Sequence, residues 1–106
     1  MAISTTELIN GSIPYTVYIS SSESAVTFMS LCNRTAGAVL CDIHIVPNGD
    51  VPDNSNLFIK DLEVVAGDTF IIYQGGEKIV LDDSDTIQVV SDTSNAISAI
   101  VSHIQV

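Results

Sequence analysis

The stretch Ile59–Val90 reads IKDLEVVAGDTFIIYQGGEKIVLDDSDTIQVV. Four short runs of β-branched and apolar residues are separated by Ala66-Gly67-Asp68, Gln74-Gly75-Gly76 and Asp82-Asp83-Ser84-Asp85. Each run has the length of one strand. Each break carries turn chemistry, because glycine takes positive φ without a steric cost and Asp and Ser side chains bond their own backbone. No segment of the chain carries a sustained helical stripe bounded by caps, so the stretch is read as a meander of successive strands. It sets an all-β class for the whole chain.

Working upstream, Leu57–Val64 extends the first run. Pro47–Asn56 (PNGDVPDNSN) is the longest irregular segment, with two prolines and several Asx residues, and surface loops of this kind are where binding tends to reside. Before it, Ala25–Asn33 and Ala38–Val46 are read as a hairpin closed at Gly37. In that register Cys32 and Cys41 face each other across the hairpin, and both thiols point into the core. Ile13–Ser20 is a strand in which Ile13, Tyr15, Val17 and Ile19 share one face, and Ser20–Ser24 is a solvated connection. Residues 1–12 are an N-terminal arm or a first edge strand. Downstream, Ala96–Val106 is a final strand, although Ile97, Ile100, Val101 and Ile104 also fit a helix face; β-branched enrichment and the preceding turn favour the strand. The expected fold is an eight- or nine-stranded antiparallel β-sandwich or jelly-roll-like barrel. The domain division is an arm at 1–12 and a single domain at 13–106.

Composition narrows the function. The chain has 106 residues, enough for one domain, and is 46% hydrophobic and 15% charged. Ordinary domains carry about 25% charged residues, so part of the surface is expected to be covered by other chains, set against the alternative of a surface coated with Ser, Thr and Asn. Three basic residues (Arg34, Lys60, Lys78) stand against 13 acidic ones, for a net charge of −10. Nucleic-acid binding requires a cationic footprint, which is absent, and an anionic membrane is disfavoured for the same reason. No apolar run reaches membrane-spanning length. The start MAISTTELINGS has neither a cationic region nor an apolar core, so it is not read as a secretory signal.

Few residues form a chemical constellation. Asp82, Asp83 and Asp85 are the densest carboxylates and the candidate calcium ligands, set against the alternative of a solvated turn; a calcium ion takes six to eight oxygens. Asp42, His44 and His103 are a fragment of a metal site, set against an ordinary outer strand face bearing Leu40, Asp42, His44 and Val46. The chain has no nucleophile elbow, no phosphate cradle and no Trp for a sugar platform. No catalytic residue, cofactor or firm metal site is assigned. Leu8 and Ile9 of the arm, and Asn48, Asp50, Val51, Asp53 and Asn54 of the long loop, are the candidate contact residues for other subunits or a particle.

One succession of motifs goes further. Leu31-Cys32-Asn33-Arg34-Thr35 is followed by Cys41-Asp42-Ile43-His44-Ile45-Val46-Pro47 and Asn56-Leu57-Phe58-Ile59. Then come Ala66-Gly67-Asp68-Thr69, Glu77-Lys78-Ile79-Val80-Leu81-Asp82 and Asp85-Thr86-Ile87. Across residues 26–106 this resembles small β-sandwich virion structural proteins of tailed bacteriophages, except that Ser84 stands where a glycine is typical. The resemblance implies a non-enzymatic component that coats or stabilises a capsid as a homo-oligomer, a trimer being one arrangement. Its partners would be itself and other virion proteins, capsid or tail subunits. It would be made in the host cytoplasm and carried in the virion. The alternatives are a tail, neck or fibre accessory protein, or a small protein- or carbohydrate-binding module.

Overall fold

The computed structural model describes residues 2–73 and 79–106. The proposed turn Gln74-Gly75-Gly76, with Glu77 and Lys78, lies outside the described residues. Nine strands follow in order: β1 (Ala2–Leu8), β2 (Tyr15–Ile19), β3 (Ser24–Asn33), β4 (Val39–Val46), β5 (Leu57–Val64), β6 (Thr69–Tyr73), β7 (Ile79–Leu81), β8 (Thr86–Ser91) and β9 (Ile97–Gln105). They form two antiparallel sheets. Sheet A runs β1-β9-β3-β6, with β7 also on β3, and sheet B runs β2-β8-β4-β5. The strands β6 and β7 meet different stretches of β3, at Met29–Cys32 and Ser24–Val26, and so act as one interrupted strand. With that pair counted once, sheet A joins the first, eighth, third and sixth strands and sheet B the second, seventh, fourth and fifth. This is jelly-roll connectivity.

The connectivity corrects two expectations. The Ile59–Val90 stretch does contain four strands, but they are not a meander: β5 and β8 lie in sheet B, β6 and β7 in sheet A. Nor do β3 and β4 form a hairpin, since they belong to opposite sheets. Asn33, buried at the end of β3, explains the crossing. Its side-chain amide donates to the carbonyls of Gly37 and Val64, at 2.8 and 2.9 Å, and its Oδ1 accepts from the Thr35 N–H. The backbone N–H of Arg34 donates to Ala96 O. The segment after β3 is thus tied across the end of the sandwich rather than folded back on its own strand.

Bulges move several side chains from the face that strict alternation assigns, since one extra residue reverses every later position. In β2 the register shifts between Thr16 and Tyr18, so Tyr18 is buried and Ile19 is exposed. In β3 it shifts between Val26 and Phe28, so Met29 and Leu31 enter the core while Cys32 faces away. Cys41 is in the core as expected, but it does not face Cys32; both are free thiols.

The core lies between the sheets. Val26, Met29, Leu31, Ile97, Ala99 and Val101 of sheet A meet Val17, Tyr18, Cys41, Ile43, Ile87 and Val89 of sheet B. Each fully buried aliphatic side chain contributes about 1.5–3 kcal/mol. The Ser20–Ser24 segment is not simply solvated: Ser20 and Ser24 are buried, where Ser24 Oγ lies 2.7 Å from both the Tyr18 hydroxyl and Ser20 Oγ. A buried phenol needs such a partner. Residues 2–8, read as an arm or an edge strand, are the edge strand β1, paired along its length with β9.

Candidate interaction surfaces

Leu8 has no exposed surface and belongs to the core. Its assignment as a contact residue is therefore corrected: it faces inward beside Ile97, its cross-strand partner. Ile9, one residue on, is exposed, and its carbonyl accepts from the Asn95 N–H.

The long loop is exposed at Asn48, Asp50, Val51, Asp53 and Asn54. It is nevertheless held in shape by its own polar groups. Asp53 Oδ1 accepts from the Ser55 N–H at 2.8 Å, and Asn56 Oδ1 accepts from the Asp53 N–H at 3.1 Å. Asn56 Nδ2 donates to Val51 O, and Asn56 Oδ1 lies 2.9 Å from Nδ1 of His44. The Ser55 hydroxyl and N–H hold the Asp53 carboxyl below its ordinary pKa.

The turn Asp82–Asp85 sits at the same end. Asp85 accepts the N–H groups of Asn48 and Asp82, at 2.9 and 3.0 Å, and Asp83 accepts that of Ser22 at 2.8 Å. Ser84, at φ 70°, occupies the left-handed conformation for which glycine is the usual residue. The three aspartates are therefore not convergent calcium ligands. Among the described residues no group of three or more His, Cys, Asp or Glu side chains is placed to hold a metal ion. The Asp42, His44 and His103 fragment is separated as well. His44 lies on the outer face of sheet B, whereas the His103 ring packs at 4.3 Å from that of Tyr18 on the inner side of sheet A.

The outer face of sheet B is charged. Leu40, Asp42, His44 and Val46 share the outer face of β4, as their spacing indicates, although His44 and Val46 are buried there. Asp42 accepts from Lys60 Nζ at 3.1 Å and from the Asp61 N–H at 2.8 Å. Burial alone would raise the Asp42 pKa, but the Asp61 N–H and the Lys60 ammonium outweigh it and hold the carboxyl below its usual range. The hydrogen bond to Asp42, then its charge, raises that of Lys60. A shallow hollow of about 270 Å³ opens here, lined by Ser12, Leu40, Asp42, Lys60, Asp61 and Asp92 among others. Asp92 is also occupied, accepting from the Leu40 N–H.

The outer face of sheet A differs. Cross-strand pairing sets out its rows: Thr5–Ile100–Ser30–Ile71, Ile3–Ser102–Phe28 and Ile104–Ala25–Val80. Ile3, Val80, Ile71 and Ile100 are 67%, 58%, 41% and 40% exposed. The small Ala25 and Ser30 of β3 form the floor between these ridges. A second shallow hollow, of about 230 Å³, lies against Thr5, Glu7, Ser98 and Ile100. Glu7 is the one charged side chain on this face among the described residues, and Arg34 pairs with it. Sequence reading missed this surface. Its signal was present in β9, whose Ile97, Ile100, Val101 and Ile104 imitate a helix because the strand is apolar on both faces.

The chain matches no family model, no curated protein and no solved structure. Among the described residues no helix is long and apolar enough to cross a membrane.

Proposed function

We propose that this chain is a non-enzymatic structural component of a phage particle, coating or stabilising the capsid in a decoration or cement role as a homo-oligomer. One observation carries the reading: the polar side chains a ligand site would use are engaged in the chain's own turns, while one sheet face, among the described residues, carries a single acidic side chain and exposes Ile3, Ile71, Val80 and Ile100. Asp53, Asp83, Asp85, Asp92 and Asn33 all accept backbone N–H groups that shape loops. Such a molecule is organised to present a rigid surface. The motifs behind the phage resemblance support the reading in the same sense, since they fall where the fold is made. Asn33 ties the crossing after β3, Gly67 takes φ 70° before β6, and the turn through Ser84 leads into β8. Fold alone does not determine function, so the particle itself is the test. Immunogold labelling of gradient-purified particles from the encoding phage should place many copies on the head. Label confined to the tail or neck would move the chain to the accessory role, and particles free of it would contradict the proposal.

A further inference from the structure

We infer that copies of this chain associate with one another through the outer face of sheet A. The inference deepens the proposed homo-oligomer by naming its surface.

Charge selects the occupant. The chain carries −10 overall, so two copies repel wherever carboxylates meet. Six of the thirteen acidic residues (Glu23, Asp50, Asp53, Asp82, Asp83, Asp85) lie on the loop end that holds the Asp82–Asp85 turn. Asp42, Asp61 and Glu63 lie on sheet B. Among the described residues the outer face of sheet A has only Glu7, which pairs with Arg34. A basic partner would be drawn to the acidic loops or to sheet B. A second copy, equally acidic, meets least repulsion at the neutral apolar face.

Size is consistent with this occupant. Strands about 4.8 Å apart and rising about 3.3 Å per residue make this face roughly 20 Å by 30 Å, or about 600 Å² before side-chain relief is counted. A stable interface takes about 800 Å² from each partner. The relief is complementary in kind, with ridges at Ile100 and Ile71 on either side of the Ser30 floor. The whole face, at about 600 Å², is at the upper end of the largest patch on a typical monomer, and such patches are often functional.

The test is sedimentation velocity of the full chain over a wide concentration range, with three variants. The wild type is expected to associate, more strongly at higher salt because screening removes the residual repulsion. Ile100→Glu and Ile71→Glu, on either side of Ser30 in one cross-strand row, should each weaken association about a hundredfold, because assembly would then bury an unpaired carboxylate. Leu40→Glu, at equal 40% exposure on sheet B, is the matched control and should leave association unchanged. A wild type that stays monomeric throughout overturns the inference, as does association that withstands both sheet A substitutions. Neither result removes the chain from the particle, which the labelling experiment decides separately.

Discussion

The two outer faces of this sandwich are built from the same kind of strand, yet they have different chemistry. Sheet B sets Asp42, Lys60 and Asp61 on its surface and ties them to one another. Sheet A sets Ile3, Ile71, Val80 and Ile100 on its surface, with, among the described residues, a single charge pair at one corner. A sheet that ends in water gains from charge on the outside; one covered by another chain does not. The difference teaches that low overall charge is not spread evenly over this molecule. Apolar side chains are exposed on both faces, Leu40 and Phe58 of sheet B among them, but among the described residues the acidic ones gather on sheet B and the loops.

The largest effect that sharpens this contrast compares the two sides of sheet A itself. Leu8→Ala removes a fully buried side chain and should lower the unfolding free energy by about 2–5 kcal/mol. Ile100→Ala, three positions along β9 from Ile97, the partner of Leu8, and on the opposite face, should change the monomer's stability by less than about 1 kcal/mol. Equilibrium urea unfolding at low protein concentration measures both. Equal losses would mean that the outer face is already covered within one chain.

A smaller effect probes sheet B. The folded pKa of Asp42 is depressed, so its contribution is present above the unfolded carboxylate value and is lost as pH falls through the folded one. The folded pKa of Lys60 is raised, so its contribution is present below the unfolded lysine value and is lost as pH rises through the folded one. Thermal unfolding should therefore show the wild type above Asp42→Asn at pH 7, with the gap closing below about pH 4, the ordinary carboxylate range. A gap that persists in acid would show that Asp42 acts through packing rather than charge.

Much of the fold was legible because local chemistry made it. Turns at Gly67 and Asp82–Asp85, and the alternation of Cys41, Ile43 and Ile45 against Asp42 and His44, follow from neighbours in sequence. What was not legible depends on distant groups. Nothing local shows that Asn33 reaches the carbonyl of Val64, which decides that β3 and β4 part into different sheets. Nothing local shows the extra residue at Thr27 that turns Cys32 outward, or the one in β2 that exchanges Tyr18 and Ile19. Leu8 was misplaced for the same reason: an apolar residue near a polar terminus reads as a contact until β1 is seen paired to β9. The surface that now carries the account was hidden by a strand apolar on both sides.

The two cysteines offer the most direct measurement of whether the faces differ in fate. Cys41 lies in the core, where burial, reinforced by Asp92 and Asp42, pushes its thiol up to about 12. Cys32 is half-buried on the outer face of sheet A. Alkylation followed by mass spectrometry should find Cys41 unreactive in the native protein at every concentration. Cys32 should react in dilute solution and slow as concentration rises and the face is covered. A Cys32 rate independent of concentration would contradict the account.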